Sequence, residues 1–352
     1  MTIRKEHVSF TEEGEHIFLF TLENGQGIRV NILNYGGIIT QIFTPDKYGL
    51  SADILFGPEN IQDYFSEQYR ENCHYFGATI GRYCNRIRDS KFRIGTTDYI
   101  LSSNDGLHHL HGGCTGFDKA IWEPETHQTE NTVALILKHF SPDGDQGYPG
   151  NLRAKVTFTL NDSDELITEY ECTADRTTPV NLTNHSYFNL AGDLSKDILN
   201  HEICIPAGHF TENGPGLIPT GRFTKVENTV FDFRKSSVLK EKISGLPGGI
   251  DLNYILDHGI SGDLKPAVRV SEKISGRVLE IFTTQPGIQL FTLVTGPYPI
   301  KLKGNPDPGQ FAGLALEPQH FPDSPNHGEF PDTLLRPGEV YNQKNIYRFS
   351  TL

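Results

Sequence analysis

Strict alternation of apolar and polar side chains is the feature that most constrains how this chain can fold. It is clearest in residues 155–160, where Val156, Phe158 and Leu160 occupy every second position. Residues 166–172 repeat the pattern. Because successive side chains of an extended strand point to opposite faces, a period of two predicts strands with one buried face. Further strand-length segments, apolar or alternating, are residues 28–32, 133–137 and 290–294.

Turn-forming residues separate these segments along the whole chain. The sequence contains 35 Gly and 21 Pro, with turn clusters such as residues 141–145 and 246–249. Helical periodicity is confined to residues 59–69 and 236–243, about two or three turns each. Many short strands without a fixed-period repeat or a low-complexity linker predict an all-β protein. We expect one large antiparallel β-sandwich domain over residues 1–352.

The charge balance argues against nucleic acid as a partner. The chain has 31 Lys and Arg against 44 Asp and Glu, a formal net charge of −13, and such a surface repels phosphate backbones. No segment reaches the roughly 18–20 apolar residues of a transmembrane helix, and the charged first residues do not resemble a signal peptide. We therefore expect a cytoplasmic protein without nucleic-acid or membrane partners.

The cysteines are too few and too scattered for a disulfide framework, and their number is odd. The five cysteines are Cys73, Cys84, Cys114, Cys172 and Cys204. No two of them form a CxxC pair, which argues against a zinc ribbon. We expect reduced and mostly buried thiols.

Two polar, glycine-containing segments carry groups that suit sugar hydroxyls. Residues 77–87 include Asn85, which offers both donors and acceptors, and Arg86, which offers a rigid fork of donors. Residues 248–254 place Asp251 after two glycines, where a turn cap and a ligand contact are both consistent with the sequence.

Residues 107–113 contain three histidines within four positions. His109 and His111 could share a strand face, and imidazole is a common metal ligand. No carboxylate or cysteine stands at ligand spacing, so we expect no metal. A structural role is open for each histidine, but Gly112 and Gly113 indicate tight packing around His111, which makes it the best functional candidate.

Two further segments contain a possible acid and a possible base. In residues 181–190, asparagines and aromatics surround His185, which titrates near neutral pH as a general acid should, and the face of Tyr187 could stack on a sugar ring. In residues 314–326, Glu317 closes an apolar run, where partial burial would raise its pKa and make it a better base.

Together these segments resemble the aldose 1-epimerase (galactose mutarotase) family. The blocks that carry the resemblance, in family order, are GATIGRYCNRI, LHGG, FDKAIW, NLTNHSYFNL, GGIDLNY, TTQPGIQLFT and LEPQHFPDSPN, followed by LLRPGE. The resemblance implies a large antiparallel β-sandwich with few short helices and an open cleft. It also implies a site for free hexoses that uses neither a metal nor a cofactor. The chain departs from the family after Gln289, where LFTLVTGPYPI replaces an aromatic-Thr-Gly-Asn run.

The resemblance also implies residue roles. Glu317 falls where the family places its general base, and His185 where it places its general acid. The substrate is expected to be a monosaccharide such as galactose or glucose, opened and reclosed at its anomeric carbon by a monomer or homodimer. The expected sugar-binding residues are Asn85, Arg86, His111, Tyr187, Asp251 and Gln289.

Three other functions remain open from the residues alone. A non-catalytic sugar-binding or regulatory protein would not need an acid–base pair. An epimerase of phosphorylated hexoses would need several cations at the cleft, and the candidates are Arg82, Arg86 and Arg88. A glycosidase pairs two carboxylates across the scissile bond, a role that Glu317 and Asp251 could imitate.

Overall fold

The computed structural model describes residues 1–71, 74–259, 262–307 and 309–352. The elements of these residues are mainly strands, as predicted. The strands of the first half are β1 (Thr2–Phe10), β2 (His16–Glu23), β3 (Arg29–Leu33), β4 (Ile39–Pro45), β5 (Ser51–Asp53), β6 (Leu55–Phe56), β7 (Thr79–Ile80), β8 (Arg86–Ile87), β9 (Lys91–Ile94), β10 (Thr97–Ile100), β11 (His109–Leu110), β12 (Glu123–Gln128), β13 (Thr132–Ser141), β14 (Leu152–Asn161) and β15 (Glu165–Ala174). The strands of the second half are β16 (Thr178–Pro179), β17 (Thr183–Asn184), β18 (Tyr187–Phe188), β19 (Glu202–Cys204), β20 (His209–Asn213), β21 (Pro219–Lys225), β22 (Ser237–Val238), β23 (Asp251–Ile255), β24 (Lys265–Ser271), β25 (Arg277–Thr283), β26 (Gly287–Val294), β27 (Phe311–Gln319), β28 (Leu334–Leu335) and β29 (Tyr341–Thr351).

The helices are shorter than the sequence predicts. The α-helices are α1 (Glu67–Glu71) and α2 (Leu239–Ile243), and the 3₁₀ helices are Ile61–Phe65, Arg88–Ser90, Phe117–Lys119, Asp145–Gly147, Pro215–Leu217 and Ser324–Asn326. The first predicted helix is interrupted at Ser66, whose backbone is extended and whose hydroxyl accepts the Tyr69 N–H at the start of α1. None of the helices in the described part of the chain is long and apolar enough to cross a membrane.

Three large sheets make up the body of the protein, and every pairing between named strands is antiparallel. The strand order of the nine-stranded sheet is β12-β13-β14-β15-β29-β25-β24-β19-β22. The seven-stranded sheet has the order β21-β20-β23-β26-β27-β18-β6, and the five-stranded sheet runs from β1 to β5 in sequence. This arrangement confirms the predicted antiparallel β architecture.

The main hydrophobic core lies between these sheets. On β14, Val156, Phe158 and Leu160 are fully buried while the residues between them are partly exposed, which confirms the predicted alternation. One continuous apolar cluster contains these side chains together with Leu290 of β26 and Val30 of β3. The nine-, seven- and five-stranded sheets therefore share one core.

The described cysteines form no disulfide. Cys84 and Cys172 are buried, Cys204 is half-buried and Cys114 is exposed. The prediction of buried thiols is therefore confirmed for two of the four described cysteines. Cys73 lies outside the described residues.

The period of two on the seven-stranded sheet determines which side chains can form a site. Leu290 and Leu316 belong to the main core, so their neighbours Gln289 and Glu317 point to the opposite face of the sheet. The register of β26 and β27 places these two residues directly opposite each other. Asp251 on neighbouring β23 lies on the same face, because Tyr254 of that strand points into the core.

Candidate functional site

Glu317 and His185 lie next to each other on the face of the seven-stranded sheet that points away from the main core. β18 pairs with β27 through Tyr187 opposite Ala315, and the same register continued by two residues brings His185 opposite Glu317. The His185 Nε2 atom lies 3.6 Å from the Glu317 Oε1 atom. Both residues are almost fully buried: His185 is 4 % exposed and Glu317 is 1 % exposed. The two predicted catalytic residues are therefore neighbours in a dry environment.

Burial disfavours the charged form of both Glu317 and His185, and this shifts the pKa of each residue. Loss of hydration raises the pKa of Glu317 well above its usual range; the charge of Asp251 adds to the shift and Arg86 opposes it. Burial lowers the pKa of His185 to about 3. The pair therefore holds one proton rather than two or none over a wide range of pH.

His111 lies beside the pair, and its hydrogen bonds identify its tautomer. The ring centroids of His111 and His185 are 5.2 Å apart. The His111 Nδ1 atom accepts the Asn85 N–H at 3.2 Å, and burial lowers the pKa of His111 well below its usual range. The neutral ring consequently carries its proton on Nε2, which makes it a hydrogen-bond donor.

Close backbone packing holds this histidine in position, as the adjacent glycines predicted. Gly112 has a φ of 89°, and a Cβ atom there would lie 1.8 Å from the Gly81 carbonyl oxygen. Asn85 and His111 themselves have positive φ angles of 61° and 50°, and the His111 N–H donates to the Asn85 carbonyl oxygen. Asn85 thus contacts His111 through its backbone, and its side-chain oxygen accepts the Arg86 N–H.

Arg86 brings a positive charge to the site. Its Nε atom donates to Asp105 Oδ2 at 2.7 Å, and its charge lowers the pKa of both Glu317 and Asp251. Asp251 is nevertheless shifted upwards in pKa by burial, and the amide of Gln289 donates to its Oδ1 atom. These residues offer both donors and acceptors to a polyhydroxylated ligand.

Two tyrosines lie beside His185. The Tyr187 ring centroid is 4.9 Å from that of His185, but Tyr187 is 1 % exposed and its hydroxyl donates to the His74 carbonyl oxygen. Tyr75, which the sequence did not single out, stacks on His185 at 5.9 Å and lies 4.6 Å from His111. Tyr75 is therefore the second aromatic wall of the site.

The other two histidines of residues 107–113 lie away from the pair. His109 is fully buried, with Nδ1 bonded to the Ser102 carbonyl oxygen and Nε2 to the Tyr148 hydroxyl. His108 accepts the Asp89 N–H. β11 ends at Leu110, so His109 and His111 do not share a strand face.

One group of three side chains has the composition of a metal site. The ligand atoms of His111, His185 and Glu317 lie within 4.8 Å of one another. A neutral histidine that binds a metal through Nε2 carries its proton on Nδ1. In His111 that proton would point at the Asn85 N–H, so this arrangement suits a sugar hydroxyl better than a metal ion.

Sequence reasoning missed two polar residues on the same sheet face. Gln319 is fully buried next to Gln289. Asn253 lies opposite Gln289 and is 1 % exposed, and neither polar atom of its side chain has a partner among the described residues. The strand period of two places both on the face of Glu317, so the alternation could have indicated them.

Comparison with known proteins identifies the family. The sequence profile of the aldose 1-epimerase family matches residues 19–348. The chain belongs to the aldose 1-epimerase family. The galactose mutarotase of Mus musculus is 42 % identical over 332 residues, which cover 94 % of this chain and 93 % of that protein. The aldose 1-epimerase of Escherichia coli K12 is 34 % identical and is covered over 98 % of both chains.

Solved structures agree with this assignment. A homologue of aldose epimerase from C. elegans has a TM-score of 0.82 at 30 % identity and covers 95 % of this chain and 99 % of its own. The galactose 1-epimerase of Lactobacillus acidophilus has a TM-score of 0.84 at 24 % identity, with 99 % of each chain covered, and shows the shared fold. The predicted fold class and the predicted enzyme class, an aldose 1-epimerase, are confirmed.

Proposed function

We propose that this aldose 1-epimerase interconverts the α and β anomers of free aldohexoses such as galactose and glucose, with Glu317 as base and His185 as acid. The observation that carries the assignment is the buried Glu317–His185 pair at 3.6 Å. The galactose mutarotase of Mus musculus, 42 % identical to this chain, supports the choice of substrate.

Ring opening requires one proton to leave the sugar and one to arrive. Glu317 takes the proton of the O1 hydroxyl, His185 gives a proton to the ring oxygen O5, and the C1–O5 bond breaks as the C1=O1 double bond forms. Rotation about C1–C2 presents the other face of the aldehyde. On reclosure O5 attacks C1, His185 takes back the O5 proton and Glu317 returns one to O1. Both oxygens are bonded to C1, so an acid and a base in close proximity suit the reaction.

The pair has the right number of protons for this cycle. One proton shared between Glu317 and His185 supplies an acid and a base at the same time. In the dry site the proton favours Glu317. A bound sugar shifts it to His185, because the O1 hydroxyl donates to the Glu317 carboxylate, O5 accepts from the imidazolium and Arg86 stabilises the negative charge.

Five of the remaining predicted residues hold the sugar, and two tyrosines hold His185. Arg86 and the Nε2–H of His111 donate to sugar oxygens, while the Asp251 carboxylate accepts from sugar hydroxyls. Asn85 and Gln289 add amide groups, and the rings of Tyr187 and Tyr75 limit movement of His185. Fixing the ring in this way contributes the orientation term of catalysis.

The described residues give little support to a phosphosugar substrate. Arg82 is fully occupied, because its guanidinium donates to the carbonyl oxygens of residues 141–142 and 149–150. Arg88 is exposed, and the nearby Lys119 is paired with Asp118 at 2.6 Å. Arg86 is thus the one described arginine at the site, and it is itself paired with Asp105.

Polarimetry of freshly dissolved α-D-galactose and α-D-glucose tests the proposal. We expect the wild-type protein to accelerate anomer equilibration and Glu317→Gln to lose about 10²–10⁴-fold in rate. Near-isosteric Gln should preserve the fold, which circular dichroism checks. A folded Glu317→Gln variant with wild-type rates would exclude Glu317 as the base. Hydrolysis of a nitrophenyl glycoside would instead indicate a glycosidase.

We further propose that the protein acts in the cytoplasm on a monosaccharide, as a monomer or homodimer, without nucleic-acid or membrane partners. The net charge of −13 and the four described cysteines without disulfides support this location and choice of partner. Cell fractionation and light scattering test it; a membrane-bound pool or a higher oligomer would contradict it.

A further inference from the structure

Behind the site, three hydrogen bonds connect a buried thiol to the Asp251 carboxylate. The Cys84 thiol donates to Gln319 Oε1 at 3.3 Å, and Gln319 Nε2 donates to Gln289 Oε1 at 3.4 Å. Gln289 Nε2 then donates to Asp251 Oδ1. Cys84 and Gln319 are fully buried and Gln289 is 4 % exposed, so water does not readily replace these bonds.

In each of the three hydrogen bonds, the donor lies on the Cys84 side and the acceptor on the Asp251 side. A thiol is a donor, and burial raises the pKa of Cys84 well above its usual range, which keeps the proton on sulfur. The acceptor end of the Gln319 amide therefore faces Cys84, and its donor end faces Gln289. If either amide were reversed, two oxygen atoms would face each other, Gln319 Oε1 against Gln289 Oε1 or Gln289 Oε1 against the Asp251 carboxylate.

We propose that Cys84 and Gln319 are positioning residues that fix the orientation of the Gln289 amide and of the Asp251 carboxylate for sugar binding. The inference rests on the sugar site proposed above. Neither residue needs to contact the sugar. Gln319 occupies the Gln289 carbonyl oxygen. The Gln289 amide nitrogen then holds Asp251 in the orientation that accepts sugar hydroxyls.

The orientation matters because the amide is symmetric in shape but not in chemistry. Without a donor from Gln319, the buried Gln289 carbonyl oxygen loses its partner, and the amide is no longer held at the angle at which its Nε2 atom donates to Asp251. The sugar would then meet misplaced groups in both the ground state and the transition state. Interactions lost equally from both states raise KM and leave kcat largely unchanged.

Gln319→Leu and Cys84→Ala test the two links. We expect Gln319→Leu to raise KM for galactose about 10-fold and Cys84→Ala about 3-fold, with kcat within about 2-fold of wild type, since single buried hydrogen bonds have effects of this size. Cys172→Ala is the matched control. Cys172 is also buried, at 1 % exposure, but lies on β15 in the main core, so its loss should lower stability without changing KM.

Rescue and coupling separate positioning from simple packing. Cys84→Ser retains a donor and should restore KM to within about 2-fold of wild type, while the Cys84→Ala/Gln319→Leu double variant should bind no more weakly than Gln319→Leu alone, because both changes break one chain. The pH profile should stay that of wild type. Equal KM values in all variants, additive losses, or no rescue by serine would overturn the proposal.

Direct binding distinguishes this inference from the catalytic assignment. Galactose affinity measured by calorimetry in the Glu317→Gln background reports on the hydrogen-bond chain without turnover. Weaker binding on adding Gln319→Leu, in a protein whose wild type lacks mutarotation, would reject the catalytic proposal and retain the positioning role. Unchanged binding in an active enzyme would reject the positioning role alone.

Discussion

Burial determines how Glu317 and His185 ionise, and this is the main physical property of the site at the scale of single residues. Both side chains lie almost entirely out of water, and burial disfavours the charged form of each. It therefore raises the pKa of Glu317 and lowers the pKa of His185. An exposed Glu–His pair would instead carry a charge on each group between about pH 4.3 and 6.5, the ordinary pKa values of the two side chains. The dry pair retains a single proton that either residue can hold.

The first prediction concerns the pH profile. His185 takes up a second proton only near pH 3, and the pair loses its last proton only above the raised pKa of Glu317. We therefore expect kcat/KM to stay level through pH 6.5, where an ordinary histidine would titrate, to fall on the acid side only as pH approaches 3, and to fall on the alkaline side through the raised pKa of Glu317. Polarimetry corrected for buffer catalysis measures this. An acid limb near pH 6.5 that disappears in His185→Asn would contradict it.

The same shifts influence stability. The folded state holds the His185 proton less tightly than the unfolded chain does, so this group costs stability as pH falls from 6.5 towards 3. Glu317 has the opposite sign: because its folded pKa is raised, its contribution is full at low pH and is lost as pH rises through that pKa. His185→Asn should therefore remove part of the loss of stability on acidification, which urea unfolding at pH 4 and pH 7 measures.

At the scale of elements, β26 and β27 present the site. Antiparallel pairing places Gln289 opposite Glu317 and Asn253 opposite Gln289, while the residues between them anchor the strands in the main core. A side chain can be added to this face only where space permits. At Gly287 a Cβ atom would lie 2.9 Å from Asn253 Oδ1 and 3.1 Å from the Phe321 ring.

We expect Gly287→Ala to destabilise the protein by about 1–3 kcal/mol, because the Phe321 ring and the Tyr254 carbonyl oxygen cannot both move away. The shift of β26 should also raise KM through Gln289. Urea unfolding and polarimetry measure the two effects. Gly245→Ala is the control: nothing lies within 4 Å of its Cβ position, so it should be neutral or slightly stabilising. Equal stability of the two variants would contradict the packing argument.

At the scale of the whole molecule, the three large sheets share one apolar core. The single tryptophan of the sequence, Trp122, is fully buried in that core and donates to the Phe117 carbonyl oxygen. Its ring centroid lies 5.2 Å from that of His139 on β13 of the nine-stranded sheet, and its backbone is hydrogen-bonded to Asn34, which follows β3 of the five-stranded sheet. Loss of any one of these sheets would therefore expose apolar surface on the others.

A shared core predicts a single cooperative unfolding transition, as expected for one domain. The midpoints of urea unfolding followed by Trp122 fluorescence and by far-ultraviolet circular dichroism should coincide. Trp122→Phe should remove the first signal and leave the second with one transition. Separate midpoints for the two probes would instead indicate that the sheets unfold independently, and would contradict the single domain over residues 1–352.

The sequence by itself determined the β character of the chain and the faces of its strands. The alternation in residues 155–160 and the polar interruptions at Asn85, His185 and Glu317 are local features, readable because the period of two follows from backbone geometry alone. The family resemblance carried the assignment of acid and base. The short helices were overestimated, because the extended backbone at Ser66 is not visible in helical periodicity.

Tertiary structure alone decided which distant groups meet. Cys84 and Gln319 are 235 positions apart, and no local pattern relates them or joins Arg86 to Asp105. Strand register, which depends on packing across the whole sheet, placed His185 opposite Glu317. Burial, which only the assembled sheets produce, then moved the pKa values of both residues. Local backbone preferences act over a few residues, whereas register and burial depend on contacts between sheets. The sequence could therefore indicate the residues of the site but not their spatial arrangement or their pKa values.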